Sequence, residues 1–262
     1  MAICSPRMVF SIKLIVTDLD NTLLRRDKSI SGYTVDVFRR VRERGILVAF
    51  ATARDFRFVI DHIMPTFNIM SDIVIADNGA LARFGGKSLY KKLIPAEIAN
   101  ALLPRFDLAR CLSTENAYYL STEQMDDHWS IGKKDTVISD LSGGVKDDVL
   151  YLDGYTSKAP LVLTESFPDV RAVAYSDVSL TTIVHREATK YNALIATQRA
   201  LGIPTEEIAV FGDDYSDVEI LSYCGLSIAM SNAIDEAKAV ADLVCGDCDE
   251  DGVANWIAQN IL

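Results

Sequence analysis

Four acidic side chains stand just beyond runs of apolar residues. Asp18 and Asp20 follow Leu14-Ile15-Val16, and Asp213 and Asp217 follow Ile208 to Phe211. If those runs are neighbouring strands of one sheet, the four carboxylates converge on one edge. Two carboxylates about 4 Å apart repel by roughly 1 kcal/mol in water and roughly 4 kcal/mol near a protein surface. Such a cluster calls for a divalent cation, and all-oxygen ligation favours a hard ion such as Mg²⁺. Lys190, at the start of the helix preceding the Asp213 run, adds positive charge. Taken singly, these residues are ordinary. A DxD at a strand end is common, Thr52 alone can merely cap a helix, a lone lysine is usually solvated, and Asp213-Asp214 can be plain loop acids. Their weight comes from conjunction, because each lies at the end of an apolar run.

The elements that must position them follow from patterning. Leu14-Ile15-Val16, Ile46 to Ala51 and Ile73 to Ala76 are nearly continuous apolar runs, the pattern of strands buried on both faces of a parallel sheet. They end in Thr17-Asp18-Leu19-Asp20, Thr52-Ala53-Arg54 and Asp77-Asn78-Gly79. Ligands of open α/β sheets bind beyond such carboxyl ends. Thr34, Phe38 and Val41 recur at helical spacing before Gly45, and a second helical stretch reaches about Met64, before Pro65. The rhythm returns late, with a helix from Lys190 to about Gly202 and the strand Ile208 to Phe211. Then come a helix Asp217 to Tyr223, a strand Leu226 to Ala229, a helix Ile234 to Ala241 and a last helix from about Val253. Between these halves, Arg83-Phe84-Gly85-Gly86-Lys87 reads as a hairpin turn, with short strand candidates beyond it. The organisation is an α/β core from residues 1–81 plus 184–262, with an α+β insert at 82–183.

Composition limits the function. The 262 residues are 49% hydrophobic, enough for a packed core of one large or two modest domains. A net charge of -11 argues against nucleic acid or an anionic membrane as partner, although a bound cation can reverse the sign locally for an anionic substrate. No apolar run approaches the about 18–20 residues that cross a bilayer, and no secretory h-region is evident. Five cysteines in no framework spacing read as reduced thiols, so the expected compartment is the cytoplasm. Cys245 and Cys248 form a single CxxC, most simply two small residues of a loop.

Asp18-Leu19-Asp20-Asn21-Thr22, Thr52 after a hydrophobic strand, Lys190, and Gly212-Asp213-Asp214-Tyr215-Ser216-Asp217 resemble the four ordered motifs of the haloacid dehalogenase superfamily. The insert after the third strand is similar to that of its Cof-type hydrolases. Gly225 to Ala233, Asp251-Gly252-Val253-Ala254 and Asp77-Asn78-Gly79-Ala80 strengthen the likeness. It implies a Rossmann-like core with an inserted cap, and a Mg²⁺-dependent phosphatase acting on a small phosphate ester such as a sugar or cofactor phosphate. It implies Asp18 as nucleophile, forming an aspartyl phosphate, and Asp20 as acid and base. Asp18, the Asp20 carbonyl and Asp213 would ligate the metal, with Asp217 and Ser216 supporting from outside. Thr52, Ala53 and Lys190 would hold the phosphate. Arg54, Asn78 and His185 are candidate substrate contacts. The chain departs from the family in Ala53 for a usual Gly, Ser216 for Asn, Tyr191 for a small residue, and His185 and Glu187 for Pro and Gly.

Two alternatives share these residues. A phosphomutase would pass the phosphoryl group to a second hydroxyl rather than to water. A non-enzymatic, receiver-type domain also gathers acids, a threonine and a lysine around Mg²⁺, but is about half this length and lacks an acid two residues past the nucleophile. Tyr118, Tyr119, His128 and Trp129 are candidate pocket aromatics, with core packing the simpler role. Substrate identity and oligomeric state are not legible.

Overall fold

A computed structural model describes residues 11–121, 136–138, 141–155, 164–173 and 181–262. His128, Trp129 and Cys4 lie outside them. The strands, in chain order, are β1 (Leu14–Thr17), β2 (Leu47–Ala51), β3 (Ile73–Ala76), β4 (Leu81–Phe84), β5 (Lys87–Lys91), β6 (Leu108–Thr114) and β7 (Tyr118–Leu120). After these come β8 (Thr136–Ile138), β9 (Val149–Tyr155), β10 (Val170–Val173), β11 (Thr181–His185), β12 (Ile208–Gly212), β13 (Leu226–Ala229) and β14 (Leu243–Val244).

Among the described residues these form two sheets. The larger has the order β14-β13-β12-β1-β2-β3-β4-β5, and the smaller β10-β11-β9-β6-β7-β8. In the larger sheet β14 through β3 run parallel. Every residue of β1, β3, β12 and β13 is buried, which is why their sequences are nearly unbroken in apolar residues. The two halves of the chain meet where β1 pairs with β12, with Thr17 opposite Phe211. From β1 the chain winds one way to β2 and β3, and from β12 it winds the other way to β13 and β14. That reversal opens a crevice at the carboxyl ends of β1 and β12, the position where such sheets bind ligands.

Local chemistry sets the helices that cover this sheet. Helix Gly32–Glu43 starts at Ser31, whose side chain accepts from the Thr34 N–H, and buries Thr34, Val37, Phe38 and Val41. Helix Lys190–Leu201 starts at Thr189, which accepts from the Asn192 N–H, and stops at Gly202 in the left-handed conformation. Two spans differ from the sequence pattern. The helical stretch at Phe56 does not end before Pro65. It runs as Phe56–Phe58, a π-helical Val59–Ile63 and Met64–Phe67, and Pro65 occupies the first turn of the last piece. A missing N–H costs little at the first turn of a helical segment. The hairpin β4–β5 lies not with the insert but at the edge of the larger sheet, where β4 runs antiparallel to β3. Asp77, Asn78 and Gly79 all take positive φ, so the chain reverses at once onto the free edge of β3. Gly79 is required there, because a Cβ would sit 2.2 Å from the Thr189 carbonyl carbon. The turn thereby packs on the backbone that begins the Lys190 helix.

The smaller sheet is the cap. Leu112, Leu152 and Ile183 pack one of its faces on Ala99 and Leu102 of helix Ala96–Leu102. Cys111, Tyr118, Tyr151 and Val184 turn the other face toward Leu81 and Phe56 of the core. A buried polar joint adds to this seam. The Ser113 hydroxyl donates to Asp55 at 2.7 Å, and Arg57 reaches both Ser113 and the Thr114 carbonyl at 3.3 Å. No helix among the described residues is long and apolar enough to cross a membrane.

Candidate active site

The loop after β1 brings the first two acids to the crevice. The Asp18 N–H donates to the Phe211 carbonyl at 3.0 Å, which ties the start of the loop to β12. The chain then folds back tightly, with Asn21 at φ 57° and the Leu24 N–H on the Leu19 carbonyl at 2.7 Å. This turn aims Thr22 across the sheet, and its hydroxyl donates to Asp213 Oδ1 at 2.5 Å.

Lys190 is the centre of the cluster. Its ammonium is buried and donates to Asp18 Oδ1 and to Asp217 Oδ1, each at 2.7 Å. Asp217 Oδ2 accepts from the backbone N–H groups of Asp213 and Asp214, so both oxygens of Asp217 are held by the protein. Asp18, Asp213 and Asp217 offer carboxylate oxygens that all lie within 4.8 Å of one another. Three buried carboxylates thus face one ammonium. Burial, with Asp217 and Asp20 nearby, pushes Asp18 up to about 7 despite Lys190. Burial, Asp18 and Asp217 push Asp213 up to about 9. Burial works to deprotonate Lys190, but Asp18 and Asp217 override it and keep the ammonium charged. The donor set, all oxygen and short of positive charge, fits a hard divalent cation between Asp18 and Asp213.

Asp20 has a different environment. Arg54 grips its carboxylate through two hydrogen bonds of 2.7 Å, and Lys28 approaches at 3.0 Å. Arg54 is itself buried, with its guanidinium 5.0 Å from the centre of the Phe58 ring. Burial would raise the Asp20 carboxyl, but the Arg54 and Lys28 charges outweigh it and hold it below the usual range. Arg54, a candidate substrate contact, is engaged with Asp20 in this structure. Thr52 sits at the end of β2 with its N–H on the Ile75 carbonyl and its Oγ1 accepting from the Arg54 N–H at 3.1 Å. Ala53 is half-buried between them. Asn78 and Ser216 line a cavity of about 520 Å³ that also touches Lys190. His185 does not line it. Its Nδ1 accepts from the Glu187 N–H, and burial together with the Lys92 charge lowers its pKa. Tyr191 packs edge-on against Tyr223 at 5.2 Å, which accounts for a bulky residue after the lysine.

Sequence spacing missed the parts played by Thr22 and Lys28. Thr22 had a usable signal, four residues past Asp18 in a tight loop. Lys28 had none, because its approach depends on a turn with φ of 65°. The thiols of Cys245 and Cys248 are both raised by burial and lie against different partners, Met230 and Asp247.

Residues 15–257 match the family model described as haloacid dehalogenase-like hydrolase. The chain belongs to that family. It is an enzyme, a hydrolase on the phosphatase scaffold, which sets aside the non-enzymatic alternative. It is 25% identical over 272 residues to 5-amino-6-(5-phospho-D-ribitylamino)uracil phosphatase YitU of Bacillus subtilis, covering 94% of this chain and 96% of that one. It is 24% identical to the HMP-PP phosphatase of Klebsiella pneumoniae, covering 94% and 95%. Its fold matches the solved structure of the HAD subclass IIB sugar phosphatase BT4131 with a TM-score of 0.77 at 22% identity, over 94% of this chain and 98% of that one.

Removing the central cation tests this electrostatic arrangement. Lys190→Met keeps the length of the stem and leaves Asp18 and Asp217 facing each other. Urea unfolding near neutral pH should show a loss of roughly 3–5 kcal/mol, the usual result of stripping one partner from a buried ion pair. A loss under about 1 kcal/mol would mean that the ammonium does not hold the carboxylates together.

Proposed function

We propose that the protein is a Mg²⁺-dependent phosphatase that hydrolyses a small phosphorylated metabolite through an aspartyl phosphate on Asp18. The observation that carries this reading is the state of Asp18. One of its oxygens is fixed by Lys190, and among the described residues the other takes no hydrogen bond, at the mouth of the β1–β12 crevice. A carboxylate is a weak nucleophile unless it is aimed and its target's charge is neutralised. Lys190 supplies the aim.

In the first step the open Asp18 oxygen bonds to phosphorus and the bond from phosphorus to the ester oxygen breaks. Asp20 gives its proton to that leaving oxygen. In the second step Asp20 takes a proton from water, the water oxygen bonds to phosphorus, and the Asp18–phosphorus bond breaks to release inorganic phosphate. Asp20 is paired with Arg54 and Lys28, whose charges hold its carboxyl below the usual range and favour the ionised form required of a base. For the first step it must carry a proton, so this grip has to loosen as the leaving group enters. The Thr52 hydroxyl, with Oγ1 already accepting from Arg54, has its own hydrogen to donate to a phosphoryl oxygen.

Asp18, Asp213 and the Asp20 backbone carbonyl would hold Mg²⁺, with Asp217 and Ser216 supporting from outside. The cation would supply Lewis-acid neutralisation of the phosphoryl oxygens. Thr22 fixes the Asp213 carboxylate that would serve it.

Asp18→Asn is expected to lower hydrolysis of para-nitrophenyl phosphate by at least about a thousandfold, with the melting temperature retained. Turnover near that of the native protein would refute the nucleophile assignment. The metal has a separate readout in stability. Burial among neighbouring acids pushes Asp18 up to about 7 and Asp213 up to about 9, which favours their protonated forms below about pH 6. Mg²⁺ has to displace those protons, so its stabilisation of the fold should grow as pH rises from about 5 to about 8. Thermal unfolding with and without Mg²⁺ measures this, and a shift independent of pH would place the ion elsewhere.

A further inference from the structure

Asn232 joins the two loops that carry the acids. It stands in the short turn after β13, where the Ala233 N–H donates to the Met230 carbonyl at 3.0 Å. Both ends of this turn are pinned to the end of β12. The Met230 N–H donates to the Gly212 carbonyl at 3.1 Å, and the Ile234 N–H donates to the Asp213 carbonyl at 2.9 Å. The starting point of the Asn232 side chain is therefore fixed relative to Asp213.

From there its amide reaches the loop after β1. Nδ2 donates to the Asn21 carbonyl at 2.7 Å, and Oδ1 accepts from the Cys248 N–H at 3.0 Å. An acceptor at one end and a donor at the other fit an amide in one orientation, and a carboxylate cannot satisfy both. The gripped carbonyl is well placed to matter. Asn21 has φ of 57°, in the left-handed region that residues other than glycine use sparingly. It stands between Asp20, whose backbone carbonyl would ligate the metal, and Thr22, whose hydroxyl donates to Asp213 at 2.5 Å. Holding the Asn21 carbonyl thus holds the peptide unit between those two groups. The same loop has a second tie to the C-terminal segment, through Arg26 to Asp247 and Asp249. Arg26 is exposed, and exposed ion pairs contribute little.

We propose that Asn232 is a positioning residue for the divalent cation. By bracing the Asn21 carbonyl against the Asp213 loop, it sets the spacing between the Asp20 carbonyl and the Asp213 carboxylate that would share the ion. This rests on the metal-dependent phosphatase reading above and adds to it a residue that serves the ion only through others.

Mg²⁺ alone is the probe. The rise in melting temperature with Mg²⁺ concentration, at about pH 8, gives a dissociation constant without any turnover. Asn232→Ala should weaken Mg²⁺ binding by about tenfold or more, the usual effect of losing an outer support of a metal ligand. Asn232→Gln keeps donor and acceptor on a longer stem and should lose less. Arg26→Gln, which cuts the exposed tie on the same loop, should stay within about twofold of the native protein. Each rise is measured against the same variant without metal, so a general loss of stability does not alter the comparison. Unchanged Mg²⁺ affinity in Asn232→Ala, or an equal loss in Arg26→Gln, overturns the proposal. Hydrolysis of para-nitrophenyl phosphate and a panel of sugar phosphates separates the two claims. Weaker Mg²⁺ binding in Asn232→Ala, with no hydrolysis by the native protein at saturating Mg²⁺, upholds the brace and removes the phosphatase reading. Hydrolysis by the native protein, with Mg²⁺ affinity unchanged in Asn232→Ala, does the reverse. A native protein whose melting temperature Mg²⁺ does not move overturns both.

Discussion

Three buried carboxylates share one buried ammonium, and much of the core is arranged around that imbalance. Lys190 at 2.7 Å from both Asp18 and Asp217 is the contact that makes the cluster tolerable. Buried like charges separated by a few ångströms cannot all ionise without compensation. The protein compensates in layers. Asp217 has both oxygens held, by Lys190 and by two backbone N–H groups. Asp213 receives the Thr22 hydroxyl. What remains is a deficit of positive charge at Asp18 and Asp213, a condition that would favour a cation and, in the proposed reaction, an anionic substrate. Asp20, two residues from Asp18, is kept apart by its own partners, Arg54 and Lys28. Two carboxylates on one loop thus have opposite pKa displacements, Asp18 raised by burial among acids and Asp20 lowered by Arg54 and Lys28; the proposed roles require a cation to bring Asp18 back to its ionised form and the hold on Asp20 to loosen.

The fold serves this arrangement through its strand order. Because β1 lies between β12 and β2, the loops that follow all three strands project into one crevice. Gly79 allows the turn after β3 to press against the start of the Lys190 helix, so the lysine is positioned from outside its own helix as well. The cap is seated one residue beyond Arg54, where Asp55 accepts from Ser113. Residues 52–57 therefore link the Thr52 hydroxyl, the grip on Asp20 and the cap in one short segment.

Much of this was legible because it is local. Unbroken apolar runs such as Ile73 to Ala76 identified doubly covered strands, and the acids and Thr52 at their ends marked the crevice. Gly45 and Gly202 marked helix ends through their left-handed conformations. Less legible were features decided by contacts between distant segments. The pairing of β4 with β3 extends the core sheet through Lys91, whereas the hairpin pattern alone placed it in the insert from residue 82. The pairing of Arg54, a candidate substrate contact, with Asp20 was not legible, because the two are 34 residues apart in sequence.

The central claim is that the phosphoryl group passes through Asp18. The direct test is to trap it. Enzyme quenched in acid during steady turnover and reduced with borohydride should have its acyl phosphate converted to an alcohol, and peptide mass spectrometry should locate that change at Asp18 alone. Reduction at Asp20, at Asp213 or at no carboxylate, under conditions where phosphate is being released, would contradict the account.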